Sequence, residues 1–362
     1  MNNSVHKRIL LSPLNWGLGH ASRLIPLIKH FEAQGHTCIV GAELRSADLL
    51  RKAFPHLTHE YLPGFNVKFS SGEKQWLSLL FQIPKFLYWK RKENQITQKL
   101  IDKHQINLII SDNRYGVKSQ LIPSIIITHQ TSPFLGSAFS FLRPIMTKII
   151  GNWIRSFHQC WIPDIQETPS VSGILSESIP LPHNTYRIGL LSRLNQSILQ
   201  NGLNKEIPAA DILVILSGPE PHRSQLEKSI IERFKDDQFK VILIQGKPEL
   251  KAINNQIGKV TLIPHCTDFY LYHLLVKSAL IICRSGYSTI MDLFATDRKA
   301  ILIPTPGQYE QEYLAQHLTQ HFGFTSFHQN ELALINFNIP RLPANKTNIK
   351  SSDFFSQLPQ LP

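Results

Sequence analysis

The chain has 362 residues, of which 42% are apolar and 18% charged. That is long enough for two domains with separate cores and too apolar for a disordered segment. The net charge of +12 is uneven. Residues 1–209 hold 23 Lys+Arg against 12 Asp+Glu, a balance of +11. Residues 210–340 hold 12 against 13, or −1, and residues 341–362 hold 3 against 1, or +2. The basic half suits a polyanion, either an anionic membrane surface or a nucleic acid, or is a solubilising face. Cys38, Cys160, Cys266 and Cys283 stand singly, without CxxC or metal-ligand spacing, and read as reduced cytosolic thiols. No run reaches the ~18 apolar residues of a membrane span. No signal peptide is visible, since Arg8 is followed by only four apolar-leaning residues before Pro13.

Arg8–Leu14 reads as a buried parallel strand. Asn15–His20 is a glycine loop, and Leu24, Leu27, Ile28 and Phe31 then recur at helical spacing. Pro26 predicts a kink there, or a helix starting near Ser22. Gly35 ends the helix and residues 36–42 form the second strand, the opening of a doubly wound sheet. Gly17 and Gly19 lack the third glycine of a dinucleotide fingerprint. His20, at the helix start, either caps the helix or is a weakly basic imidazole for chemistry.

A helix follows at 43–54 and a short strand at 60–63. Residues 66–103 carry eight basic and three acidic residues, and Trp76–Trp89 is apolar and flanked by Lys85, Lys90, Arg91 and Lys92. This segment is either interfacial or a core helix. Strands at 107–112 and 124–129 end in Asp112 and His129, at the edge where open α/β sheets bind ligands. His129 is a second catalytic candidate, or a helix cap. Residues 113–163 hold five basic residues and no acidic one. Phe134, Leu135, Phe139, Phe141, Leu142, Ile145, Met146, Ile149 and Ile150 are interleaved there with Arg143 and Lys148, as in a membrane-facing segment.

A strand at 159–164 closes the first domain, set at residues 1–165. Residues 166–209 have linker character, with a strand at 186–190. The second domain, residues 210–340, opens on Ile212–Leu216 and the turn Ser217–Gly218, with Arg223 in the helix beyond. Strands at 240–245 and 260–264 follow, then a buried-strand pattern at 274–283. Arg284-Ser285-Gly286 turns into a helix at 289–295, and Thr289 and Asp292 have capping-box-like spacing. A strand at 300–304 and the break at Gly307 lead to Gln308, Gln311 and Glu312. Two helix N-termini thus follow two strands, a phosphate-compatible arrangement and also an ordinary strand–helix–strand unit. Residues 341–362 are an irregular tail, with Pro343, Pro359 and Pro362.

The stretch Arg284–Ala315 resembles the donor-binding signature of family 28 nucleotide-sugar glycosyltransferases. Ser285, Gly286, Thr289, Asp292, Pro304, Pro306 and Gln311 carry the likeness, and GLGHASRLIPL around His20 matches the family's glycine loop. The resemblance implies an α/β protein of the GT-B architecture, with two Rossmann-like doubly wound domains facing across a cleft. It implies that Ser285, Gly286, Ser217, Gly218 and Arg223 meet the donor diphosphate, and that Asp292 holds the ribose. His265 lies by the base, and Gln308, Gln311 and Glu312 read the sugar. Gly17 and Gly19 approach the reacting centre, with His20 as general base or acceptor-orienting group. Two positions depart from the family: Asp292 stands where Glu is usual, and Glu312 where a second Gln is usual.

The reaction so implied is transfer of N-acetylglucosamine or another hexose from a UDP-sugar to a lipid-linked or glycolipid acceptor. No cofactor is expected: with no Asp-x-Asp motif, helix N-termini and Arg284 or Arg223 would stabilise the leaving diphosphate. The expected location is cytoplasmic, against the inner face of the plasma membrane. The alternatives are a UDP-sugar 2-epimerase of the same architecture and a basic nucleic-acid-binding protein. Against the latter, the basic residues are mixed with aliphatic bulk and no nucleic-acid motif occurs.

Overall fold

The computed structural model describes residues 6–65, 75–134, 136–177, 180–194, 207–247, 254–335 and 358–362. Leu135, the side chain of Phe139 and most of the tail expected at 341–362 lie outside the described residues. The chain divides into two compact units, residues 1–191 with 354–362, and residues 192–353.

The first unit alternates strands and helices: β1 (Arg8–Pro13), α1 (Gly19–Ala33), β2 (Thr37–Ala42), α2 (Leu44–Ala53), β3 (Thr58–Tyr61), α3 (Gln75–His104), β4 (Leu108–Asp112), β5 (Ser124–Ile127), α4 (Arg143–Ile154), β6 (Gln159–Ile162) and β7 (Thr185–Arg187). The sheet order is β3-β2-β1-β4-β5-β6-β7, and its pairs are parallel. Parallel strands are covered on both faces, which is why β1, β4 and β5 are mostly apolar and buried along nearly their whole length. One face packs Leu10, Ile39 and Ile109 against Leu100 of α3. Further along, Ile126, Cys160 and Ile162 meet Ile150 and Ile154 of α4. Pro26 lies inside α1, and the helix begins ahead of it at Gly19.

The stretch 166–191, read as linker, belongs to this unit. Buried Asp164 organises it, accepting from the amides of Ile165, Val171 and Ser172 at 2.8, 2.9 and 3.0 Å. The turn so made returns the chain to add β7 to the sheet edge. The C-terminal residues also return here: Gln159 donates to the carbonyl of Gln360 at 3.0 Å.

The second unit holds β8 (Ile212–Ile215), α5 (His222–Phe234), β9 (Val241–Ile244), β10 (Asn255–Ile257), β11 (Val260–Ile263), α6 (Asp268–Lys277), β12 (Leu280–Cys283), α7 (Tyr287–Ala295), β13 (Ile301–Leu302), α8 (Tyr309–Phe322) and β14 (Thr325–Ser326). Its sheet order is β10-β11-β9-β8-β12-β13-β14, parallel apart from the β10–β11 pair. The apolar run 274–283 divides between the end of α6 and β12. Ser278 stops the helix with extended backbone, and one run then serves two elements.

Candidate active site

In each sheet the strand order reverses beside the first strand, between β1 and β4 and between β8 and β12. Loops leaving the C-terminal ends of such neighbours diverge, and the crevice left there is where open α/β sheets bind ligands.

In the first unit that position is occupied by four coupled side chains. His20 is the second residue of α1, and its Nδ1 lies 3.0 Å from Oδ1 of Asp112, which closes β4. Arg23 is one turn along on the same helix face. Its Nε donates to Asp112 Oδ2 at 2.5 Å, and its Nη2 also meets Oδ1. Nη2 is 2.8 Å from His20 Nδ1, and Nη1 is 3.4 Å from Nδ1 of His129, two residues beyond β5. Asp112 is 0% exposed, Arg23 2% and His129 4%, whereas the His20 side chain is 15% exposed. Of the four, the His20 imidazole is therefore best placed to meet a ligand.

Burial holds the His20 imidazole below its usual range; Asp112 pulls against this and Arg23 reinforces it. Burial would raise Asp112, yet Arg23 and His20 together hold its carboxyl below the usual range. The glycine loop before α1 is pinned at its start. Ser46 donates to Asn15 at 3.1 Å, and the Trp16 indole donates to the Phe65 carbonyl at 3.2 Å. Gly17 has a φ of +81° with open space around it, and Gly19 starts α1.

In the second unit β8 runs into Ser217–Gly218 and β12 into Arg284–Ser285–Gly286. Gly218 has a φ of +97°, and a Cβ there would stand 3.5 Å from Thr305 Oγ1, so the loops after β8 and β13 converge. Gly286 is the N-cap of α7 and offers no side-chain cap. A Cβ on it would meet nothing within 4 Å. The helix thus begins without a side-chain cap, with the positive end of its dipole at Gly286. Thr289 is partly exposed one turn ahead of Asp292.

Several residues expected to touch the donor also make hydrogen bonds within the fold. Ser285, fully buried, donates its hydroxyl to the Gln311 carbonyl at 2.7 Å. Gln311 accepts from the Thr305 amide at 2.9 Å and donates to Gln308 at 2.5 Å. Glu312 accepts from the Gly307 amide at 2.9 Å. These bonds lock the loop 304–308. Arg284, 0% exposed, donates to the carbonyls of Ile303, Pro304 and His222 at 3.1, 3.0 and 2.9 Å and to Gln329 at 2.7 Å. Burial brings its guanidinium down to about 10. Arg223 is likewise buried, bound to Glu220 at 3.0 Å and to the Gly246 carbonyl at 2.7 Å. Both arginines brace loops from inside, because each lies beneath a turn whose carbonyls would otherwise lack donors.

Asp292 faces residues that begin the unit. It accepts from Ser192 Oγ at 2.6 Å, and Arg193 Nε lies 3.9 Å away. Arg193 Nη1 is 3.2 Å from Asp268 Oδ1 at the start of α6. Burial pushes the Asp292 carboxyl up to about 6, with Arg193 pulling back. His265 is partly exposed just before Cys266 and Asp268, and its Nδ1 is buried without a partner. The four cysteines are free, and burial pushes each thiol up to about 12. Among the described residues no cluster of three His, Cys, Asp or Glu is arranged to hold a metal.

The sequence places Asp112 at the ligand-binding edge of the sheet without giving it a role, and it does not single out Arg23, Ser192 or Arg193. The His20–Arg23 spacing of three residues places both on one helix face, and Asp112 ends a buried strand that opens with Leu108, Ile109 and Ile110. Those two signals were available. Ser192 and Arg193 sit in a stretch without periodicity, and nothing local marks them.

The sequence profile of the glycosyltransferase family 28 C-terminal domain matches residues 219–352. A glycosyltransferase of Methanosarcina acetivorans is 25% identical over 330 residues, covering 84% of this chain and 79% of its own. The UDP-N-acetylglucosamine–N-acetylmuramyl-(pentapeptide) pyrophosphoryl-undecaprenol N-acetylglucosamine transferase of Alkaliphilus metalliredigens is 26% identical over 121 residues, 30% of this chain and 32% of its own. Among solved structures, the kitacinnamycin glycosyltransferase superposes with a TM-score of 0.63 at 12% identity, covering 98% of this chain and 94% of its own. SnogD of Streptomyces nogalater gives 0.59 at 16% identity, covering 99% and 96%. These superpositions establish the GT-B fold. The protein is a glycosyltransferase, similar over residues 219–352 to the family 28 C-terminal domain.

Proposed function

We propose that the protein moves N-acetylglucosamine or another hexose from a UDP-sugar to a hydroxyl of a lipid-linked or membrane-proximal acceptor. The observation that carries this reading is the His20–Asp112 pair, in which the imidazole reaches the surface and its carboxylate partner is fully buried. With Nδ1–H donating to Asp112, Nε2 is the unprotonated nitrogen and can take a proton. His20 removes the acceptor hydroxyl proton as that oxygen attacks the anomeric carbon. A C–O bond forms to the acceptor, the C–O bond to the diphosphate breaks, and UDP departs with the bonding pair. The proton stays on the imidazolium, which Asp112 stabilises. A single displacement of this kind inverts the anomeric carbon.

The donor side belongs to the second unit. The uncapped N-terminus of α7 at Gly286 suits the diphosphate, and the turn Ser217–Gly218 offers amides beside Thr305. Asp292 suits the ribose hydroxyls. Arg193, set beside Asp292 and Asp268, replaces Arg284 and Arg223 as the cation for the nucleotide. Thr289, Gln308, Glu312 and His265 remain partly exposed around this edge. The relative from Alkaliphilus metalliredigens uses UDP-N-acetylglucosamine by name, which supports this donor. One of the solved neighbours, a spinosyn rhamnosyltransferase, is a complex with thymidine diphosphate.

The acceptor side is proposed to rest on an anionic membrane at the cytoplasmic face. Phe141, Ile145 and Ile149 recur every fourth residue and are 69%, 57% and 36% exposed, while Ile150 and Ile154 face the core. Phe86 of α3 stacks on Trp153 of α4, and Lys90 lies over the same indole at 4.4 Å. That contact joins α4 to a helix whose Leu87 and Tyr88 are also exposed, with Lys85, Arg91 and Lys148 around them. Apolar insertion and roughly 1 kcal/mol per basic residue at an anionic surface would act together. Among the described residues no helix is long and apolar enough to cross a membrane.

The test is His20→Ala. Turnover should fall by roughly 10²–10⁴-fold, the range for general-base catalysis, while UDP affinity stays constant. Loss of nucleotide binding in step with activity would contradict the assignment.

A further inference from the structure

Arg23 has no direct role in the reaction just described. At 2% exposure it cannot hold a phosphate. Its ion pair with Asp112 is also a weak source of stability, because desolvating both charges offsets their attraction. Yet its guanidinium contacts a group at the end of β4, a group beyond β5 and a group on its own helix. These are Asp112, His129 and His20. Around His20 the charged and titratable neighbours are the same set: Asp112, Arg23 and His129.

We infer that Arg23 is a positioning residue for His20: it clamps the Asp112 carboxylate against Nδ1 and so fixes which ring nitrogen faces the acceptor. This role presupposes His20 as the base. Two features of the geometry support it. First, Nε and Nη2 bind the two oxygens of Asp112 as a planar fork, which sets the direction of Oδ1. Lysine could supply the charge but not the plane. Second, Nδ1 has a carboxylate oxygen at 3.0 Å and a guanidinium nitrogen at 2.8 Å. A protonated Nδ1 donates to Oδ1 and leaves Nε2 basic. A bare Nδ1 would accept from Nη2 but face the carboxylate with its lone pair. Because Nε and Nη2 are already engaged by the two carboxylate oxygens, the contact with Oδ1 sets the tautomer, and the adjacent cation resists a second proton on the ring until one is taken from substrate. Burial and Arg23 act in the same direction on the imidazole, with Asp112 opposing.

Histidine side-chain NMR on the full chain tests this without substrate. His20 is assigned by its loss in His20→Gln. In the native protein the Nδ1–H tautomer should dominate. In Arg23→Gln the His20 midpoint should rise by about 1–2 pH units, as expected for loss of an adjacent cation, and the tautomers should mix. Arg23→Lys should restore the midpoint but not the single tautomer. UDP release from UDP-N-acetylglucosamine with a lipid extract should fall by about 10²-fold in kcat in both variants, with donor KM unchanged. Arg23→Gln leaves a buried carboxylate without its partner. The double variant Arg23→Gln/Asp112→Asn, compared with Asp112→Asn alone, repeats the measurement without that orphaned charge, and its midpoint should be the higher of the two. An unmoved midpoint and tautomer in Arg23→Gln, or equal midpoints in the second comparison, would overturn the inference. A midpoint that moves while the acidic limb of the kcat profile stays put would uphold Arg23 and discard His20 as base.

Discussion

Replacing Asp292 by alanine should weaken UDP binding by about 1–3 kcal/mol, the range for losing a hydrogen bond to a charged group. That is roughly 5- to 150-fold in Kd. The carboxylate is 14% exposed and already accepts from Ser192 at 2.6 Å, so one oxygen is committed and the other remains for a ribose hydroxyl. Arg193 retains Asp268 at 3.2 Å in the variant, which limits collateral damage. A pH dependence follows. Burial raises the carboxyl to about 6, so it is protonated below that pH and loses acceptor capacity. UDP that binds the ionised form should lower this pKa and release a proton near pH 6. Isothermal calorimetry in buffers of different ionisation enthalpy reads both effects. UDP affinity should fall between pH 7.5 and 5 more steeply in the native protein than in Asp292→Ala, where the terminal phosphate of UDP, with its second ionisation at about pH 6, still titrates. A folded Asp292→Ala protein with native affinity and a native pH profile would refute the ribose assignment.

Arg284→Met should destabilise the protein by more than about 2 kcal/mol in denaturant titration, since buried carbonyls lose their donor. A fully stable variant that loses only UDP binding would return Arg284 to the diphosphate. Asp164→Ala should cost about 3 kcal/mol or more, because several buried donors are orphaned, and calorimetry with UDP should show unchanged affinity. Changing Phe141, Ile145 and Ile149 together to Ser should release the protein from phosphatidylglycerol vesicles in a pelleting assay, with native circular dichroism; unfolding instead would show that these residues are core. Lys85, Arg91 and Lys148 changed to Gln should weaken pelleting on anionic vesicles only, and salt should weaken it in the native protein, as exposed charges are screened beyond ~10 Å at 0.1 M.

The strands and most helices were legible because a parallel sheet covered on both faces demands short apolar runs, and β1, β4, β8 and β12 each contain one. The edge residues were legible for the same reason: Asp112 and Ser217–Gly218 interrupt that pattern where the strands end. Three features were not. The stretch 166–191 is held by one buried carboxylate and not by periodicity, so its membership of the first sheet leaves no regular pattern. Trp76–Trp89 falls within one helix, α3, running through Pro84, because residues beyond it supply the repeating apolar face at Ile96 and Leu100. The inward turn of Ser285, Gln311, Arg223 and Arg284 depends on which carbonyls a loop leaves unpaired, and that is decided by tertiary geometry.

The proposed reaction is transfer of a sugar from a UDP donor to a lipid-linked hydroxyl with His20 as base. Mass spectrometry of a lipid extract incubated with the full chain and UDP-sugars tests it most directly. A lipid species should gain the mass of one N-acetylhexosamine or hexose, with UDP released in equal amount, and His20→Ala should abolish the gain while still binding UDP. Conversion of the UDP-sugar to its epimer with no lipid gaining mass would contradict the account.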